Sequence, residues 1–184
     1  MPSALPRGGQ AASLTSAQDP QEPLPVVDDQ DRPLGVRPRW LVHRDGLRHR
    51  AVHVLLFDPA GRLYLQRRSQ AKDTHPGKWT SSASGHVDPG EDYDAAAIRE
   101  LDEELGLTAP LTPLGLIPAQ LATGMEFSAV YQAHSSQVPR PNPLEIAEGR
   151  FFSLQEARDL AADPQQAVPG LKLILDLAQC PGGR

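Results

Sequence analysis

Cysteine is almost absent from this chain: Cys180 is the only one among 184 residues. No intrachain disulfide and no cysteine-built zinc cluster can form, and a reducing cytoplasm is the expected setting. No apolar run approaches the length that spans a bilayer, so no membrane partner is expected. The opening stretch from Met1 to Ser13 lacks the apolar core of a secretory signal. Positive charge is not in excess either. Eighteen Lys and Arg face 23 Asp and Glu, for a net charge of −5. A chain without a basic field is a poor partner for duplex nucleic acid.

What remains is an ordinary globular composition, 39% hydrophobic and 22% charged, long enough for one domain with a sizeable core. Residues 1–23 are rich in Pro, Ser, Ala, Gln and Gly, and read as a disordered tail ahead of a domain over 24–180. Leu24–Val27 and Leu34–Val36 flank a hairpin turn, and Arg39–His43 suits a short helical turn. Strands are expected at Ala51–Phe57 and Leu63–Arg67, joined by the tight turn Asp58-Pro-Ala-Gly61. Further strands are expected at Leu111–Ile117, Phe127–Gln132 and Arg150–Phe152. Ser153-Leu-Gln-Glu156 has the form of a capping box, and a last helix is expected over Leu171–Ala178. Mixed elements with few regular βαβ units point to an α+β fold.

One segment carries chemistry. Asp92 or Asp94 can cap a helix that runs through Ala95, Ala96 and Ala97 and stops near Gly106. Glu100, Glu103 and Glu104 then stand at i, i+3 and i+4, on one face. Such crowded carboxylates repel one another, and a hard divalent cation such as Mg²⁺ or Mn²⁺ relieves that repulsion through oxygen ligands. Three glutamates alone would equally suit a solvated helix face. The glycine, Glu91 and the Arg99–Glu100 pair upstream, all in register, argue against that plainer reading.

Gly85, Glu91, Arg99, Glu100, Leu101, Glu103, Glu104, Gly106 and Leu107 fill every fixed place of the pattern G-x5-E-x7-R-E-U-x-E-E-x-G-U, where U is aliphatic. The chain therefore resembles the Nudix hydrolases. The resemblance implies an α/β/α sandwich with mixed β-sheets, and a pyrophosphohydrolase that uses Mg²⁺ or Mn²⁺. Metal ligands would be Glu100, Glu103 and Glu104, with the Gly85 carbonyl as a fourth; Gly85 also suits a tight turn. Glu103 is the expected residue to touch or deprotonate the attacking water. Glu145 and then Glu126 are the next candidates for the base, and each equally suits a structural carboxylate. Glu91 paired with Arg99 would hold the loop on the helix and orient the ligands.

A second resemblance reaches further. His49 to Phe57, Leu65 to Ser69 and Pro76 to His86 are similar to the isopentenyl-diphosphate isomerase branch of the superfamily, with weaker likeness at Glu126 and at Asn142-Pro-Leu-Glu145. His49, His86 and Glu126 match metal or active-site positions there. The branch's catalytic cysteine corresponds to Ser84, a poor group for proton transfer at an allylic carbon, whereas the acidic box is complete. Hydrolysis of a nucleoside di- or triphosphate, or of another small organic diphosphate, is the expected reaction. Isomerisation is the alternative, and a non-catalytic diphosphate sensor is a third reading that an intact acid set disfavours.

For the substrate, Arg67, Arg68, Lys72, Lys78 and His86 are candidate contacts, since Arg grips phosphate oxygens bidentately and Lys acts as a point charge. A solvated basic loop explains the first four as well. The isomerase resemblance implies a small second metal site from His49, His53 and His86, although His53 alternates with the apolar residues of its strand, so that one of the three equally suits a plain strand-face residue. Trp79 is better suited to packing than to stacking on a base. Oligomeric state stays open, homodimers being frequent among such relatives.

Overall fold

The computed structural model describes residues 18–178. Cys180 lies outside them, as do residues 1–17. Nine strands and four α-helices follow one another as β1 (Pro23–Val27), β2 (Pro33–Pro38), α1 (Arg39–Asp45), β3 (His49–Phe57), β4 (Leu63–Arg68), β5 (Trp79–Thr80), β6 (Ala83–His86), α2 (Tyr93–Leu105), β7 (Leu111–Ile117), β8 (Glu126–His134), β9 (Ile146–Phe152), α3 (Leu154–Ala161) and α4 (Leu171–Asp176) among these residues. A 3₁₀ turn at Leu121–Thr123 precedes β8. The α+β, mixed-sheet architecture is the one expected from the sequence.

Strand β3 is the hub. It runs parallel to β8 along its whole length, from His49 opposite Glu126 to Phe57 opposite His134. It runs antiparallel to β6, with His53 opposite Ser84 and Ala51 opposite His86. Successive side chains of a strand point to opposite faces, so β3 serves two cores. Val52, Val54 and Leu56 pack with Ala97, Leu101 and Leu105 of α2. Leu55 and Phe57 pack with Ala157 of α3 and Leu171, Ile174 and Leu175 of α4. Helices on both faces of the sheet make the α/β/α layering.

Local chemistry explains the ends of these elements. Two turns use the same device. Asp28 Oδ1 accepts from the Gln30 and Arg32 backbone N–H groups, and Asp58 Oδ1 accepts from those of Ala60 and Arg62. Asp92 caps α2 by accepting from the Ala95 N–H at 2.8 Å, and Gly106 ends it in the left-handed region at φ 61°. Ser153 and Glu156 form both halves of the capping box on α3.

Two expectations need revision, while a third, that Trp79 packs rather than stacks on a ligand, agrees with the structure. Pro23 already belongs to β1, and Glu22 reaches Arg39, so the end of the segment read as tail is part of the fold. Strand β9 starts at Ile146 rather than Arg150, because the whole segment pairs with β4. Glu148 and Gly149 obscure it in the sequence; a side chain at Gly149 would run into the Tyr64 ring. Trp79 packs edge-to-face on Phe152, ring centroids 5.2 Å apart, within the second core.

Candidate active site

A cavity of about 630 Å³ opens where β3, β6 and β8 meet the acidic face of α2. Two sets of side chains with metal-ligating chemistry lie at it. The first is on α2. Ala96, Ala97, Leu101 and Leu105 anchor the helix by their apolar side chains, and this rotation brings Glu100 and Glu104 inward, 9% and 3% exposed. Glu103 lies at the helix surface, its side chain 58% exposed. Gly85 lets the helix approach β6: a methyl group there would overlap the Glu100 carboxylate.

Arg99 ties this set together. Its guanidinium donates to both oxygens of Glu91 at 3.0 and 2.9 Å, to Glu100 Oε1 at 2.6 Å, to Glu103 Oε2 at 3.2 Å and to the His86 carbonyl at 2.9 Å. Glu104 Oε2 accepts from the Ser84 N–H at 2.9 Å and from Gln66 Nε2 at 2.6 Å. Its other oxygen lies 3.9 Å from Lys72 Nζ, and Lys72 itself is paired with Glu145.

Burial of Glu100 raises its pKa to about 7 against the opposing pull of Arg99. Burial, and then the neighbouring Glu100, raises Glu104 to about 8 although Lys72 acts the other way. Negative charge is thus undercompensated at a cluster of oxygen donors. That is the environment a hard divalent cation stabilises, so these residues fit Mg²⁺ or Mn²⁺.

The second set lies on the sheet side. His43, His49 and His86 offer ring nitrogens that lie within 4.8 Å of one another. Glu126 Oε1 is 3.6 Å from the Nε2 atoms of both His49 and His86. His49 Nε2 is buried with no hydrogen-bond partner among the described residues, so it too can take a cation. Burial would raise Glu126, but His49 and His86 outweigh it and hold the carboxyl well below its ordinary range. Burial would lower His86, yet Glu126 and Glu22 raise it. Imidazole nitrogens with a carboxylate favour a borderline metal such as zinc.

The sequence placed His53 in this group. Helix α1 supplies His43 instead, and His53 Nδ1 faces the Ser81 hydroxyl at 2.9 Å. Burial lowers His53 to about 4, which keeps its ring neutral near pH 7. Arg39, Glu22 and Asp73 were not legible as site residues. Arg39 donates to Glu22 Oε2 at 2.7 Å and to Asp73 Oδ2 at 2.9 Å, and its Nη1 lies 3.1 Å from His86 Nδ1. A lone arginine next to a tryptophan in a short helix carried no signal for that role.

Of the candidate substrate contacts, Arg68, Lys72 and His86 line the cavity. Arg67 and Lys78 are not on its wall; they donate to the Gly77 and Pro164 carbonyls. Glu145 and Glu126 both line it, Glu145 linked to Glu104 through Lys72 and Glu126 beside His49 and His86.

The NUDIX domain family matches residues 47–172, which contain both sets. The chain belongs to the Nudix family. As a Nudix enzyme it is 40% identical over 164 residues to an isopentenyl-diphosphate Delta-isomerase of Nocardia farcinica, covering 85% of this chain and 94% of that one. It is 41% identical over 155 residues to an uncharacterized Nudix hydrolase of Pseudomonas aeruginosa, covering 82% and 91%. Among solved structures it is similar to the Deinococcus radiodurans protein DR0079. That match has a TM-score of 0.75 and 27% identity, and covers 87% of this chain and 99% of that one. A MutT Nudix hydrolase from Burkholderia pseudomallei matches with a TM-score of 0.57 and 25% identity, covering 70% and 96%. No helix among the described residues is long and apolar enough to cross a membrane.

Proposed function

We propose that this Nudix enzyme is a divalent-metal-dependent hydrolase of a small organic diphosphate. The observation that carries the reading is the buried pair Glu100 and Glu104 beside exposed Glu103, with Arg99 bridging Glu91, Glu100 and Glu103. A diphosphate repels hydroxide and leaves poorly; bound Mg²⁺ or Mn²⁺ supplies the positive charge that offsets both obstacles.

The residues of the chain do the rest. Glu100, Glu104, Glu103 and the Gly85 carbonyl would hold the metal. Glu103, the most exposed of the acids, has the access needed to take a proton from water. Glu145 is the second candidate base, and its pairing with Lys72 holds it in position. Glu91 and Arg99 orient the acids rather than touching the substrate. Arg68 is the cavity-lining cation with no carboxylate partner within salt-bridge distance among the described residues, which suits a phosphate oxygen.

A second reading, isopentenyl-diphosphate isomerisation, is favoured by the His43–His49–His86–Glu126 cluster and by the name of the Nocardia relative. Ser84 stands against it, because a hydroxyl does not replace a thiol in protonating or deprotonating an allylic carbon. The deciding assay measures phosphate release and allylic product in parallel, with Mg²⁺ or Mn²⁺. Its panel holds nucleoside di- and triphosphates, nucleotide sugars, dinucleoside polyphosphates, coenzyme A and isopentenyl diphosphate. Metal-dependent release that is lost in Glu103→Gln supports the hydrolase. Conversion of isopentenyl diphosphate without release would replace it by the isomerase, and tight binding without turnover by a sensor.

A further inference from the structure

The cavity has a floor that the acids and histidines leave unexplained. On β3, β6 and β8 the residues facing it include Ala51 and His53, Ser84, and Ser128. Register puts Ser84 opposite His53 and Ser128 opposite Ala51, so the three polar groups are neighbours on one patch of sheet. Ser128 is 1% exposed, and its hydroxyl has no hydrogen-bond partner among the described residues. The Ser84 hydroxyl likewise has no bond to another described residue; only its backbone N–H is engaged, by Glu104. A buried hydroxyl without a partner is costly, and its natural satisfaction is by a ligand that enters the cavity.

Nearby bonds orient the third group. Ser81 Oγ donates to the Ala83 carbonyl at 3.3 Å, which leaves its lone pairs for His53 Nδ1–H at 2.9 Å. With the proton on Nδ1, a neutral His53 ring presents Nε2 as a bare acceptor. The patch therefore combines one acceptor with two hydroxyls that can donate, the complement of an alcohol group. Around it the wall is small and aliphatic, from Ala122, Val168, Pro169 and Ile174. No Phe, Tyr or Trp among the described residues lines the cavity, so it offers a nucleobase none of the large aromatic faces on which bases stack best.

We propose that Ser128, Ser84 and His53 form a hydroxyl-recognition floor, and that the preferred substrate is a diphosphate ester of a small aliphatic alcohol carrying a second hydroxyl. This deepens, and rests on, the reading of the cavity as a diphosphate site. The substrate hydroxyl donates to His53 Nε2 and accepts from Ser128 and Ser84. A plain hydrocarbon chain in the same place would leave all three groups unsatisfied.

The test compares 3-methylbutyl diphosphate with 3-hydroxy-3-methylbutyl diphosphate in the presence of Mg²⁺. Phosphate release (kcat/KM) and calorimetric Kd are measured for the wild type, Ser128→Ala and Ser84→Ala. The hydroxylated ester is expected to win by roughly tenfold or more in the wild type, and the ratio to fall toward one in each variant. Should Ser128→Ala not fold, Ser84→Ala reads the same ratio. A wild-type ratio near one, or one unmoved by the serine substitutions, overturns the floor while leaving hydrolysis intact. A binding preference that the substitutions abolish, without release of phosphate, keeps the floor and removes the hydrolase reading. If neither ester binds, the proposed substrate class is wrong, and hydrolysis is judged on the wider panel alone.

Discussion

The Glu100 carboxylate occupies the space that a side chain at position 85 would need, so helix α2 can deliver its acid to the cavity only across a glycine. Gly85→Ala should therefore push Glu100 away from Glu104 and shift the carbonyl of residue 85 with it. A displacement of about 1 Å in such a site costs roughly 100-fold in rate. The expected result is a loss of kcat/KM of that order with a folded protein by circular dichroism. Activity within a few-fold of the parent would show that neither Gly85 nor Glu100 contributes to the metal site as assigned.

Glu103→Gln keeps the shape of an exposed side chain and removes its charge. Because that side chain is held only through Arg99 Nη1 at 3.2 Å, stability should change by less than about 1 kcal/mol. Turnover should drop roughly 100- to 10,000-fold, the range for losing a positioned base or acid. Thermal melting and steady-state kinetics on the same preparation separate the two effects, and unimpaired turnover would move the base to Glu145.

Metal binding should depend on pH in a definite direction. Glu100 and Glu104 hold their protons up to about 7 and about 8, above the ordinary 4.5. Stability from these protonated, buried carboxyls is complete below 4.5 and is lost as pH rises through 7 to 8 in metal-free protein. A cation competes with those protons and restores what is lost. Added Mg²⁺ should raise the Tm more at pH 8.5 than at pH 6. An equal or larger rise at pH 6 would contradict the assignment of this pair as ligands.

His53 predicts an acid-side effect of opposite sign. Its folded pKa of about 4 lies below the ordinary 6.5, so the unfolded chain takes up the proton first on acidification. Stability is present above 6.5, is lost as pH falls from 6.5 to about 4, and then levels off, by about 3 kcal/mol in the limit. Denaturant titrations between pH 7 and 4 should show a shallower decline for His53→Gln than for the parent. Parallel curves would mean that the ring is not buried in neutral form.

Helix ends are legible in the sequence because their signals lie within a few residues of one another. Asp92 and Gly106 bound α2, and Ser153 and Glu156 cap α3, through hydrogen bonds that span no more than a turn or so. The first half of β9 is not legible in the sequence, because its pairing with β4, not its own composition, makes Ile146 to Gly149 a strand. Likeness to the isomerase branch offers His53 as a ligand beside His49 and His86. The choice between it and His43 depends on where α1 packs and on Ser81, which no spacing within β3 encodes.

By itself the sequence determined the family, the acidic helix and the carboxylates it presents on one face, since period, caps and motif register are properties of contiguous chain. Tertiary structure decided which of those residues meet. Parallel pairing of β3 with β8 sets Glu126 beside His49, and Gly85 on β6 lets Glu100 past the sheet. Folding also carries Lys72 to Glu145 and Glu104, and leaves Arg67 and Lys78 off the cavity wall. Burial and the charges around a group, which set its protonation and its reach, arise only when distant segments pack together.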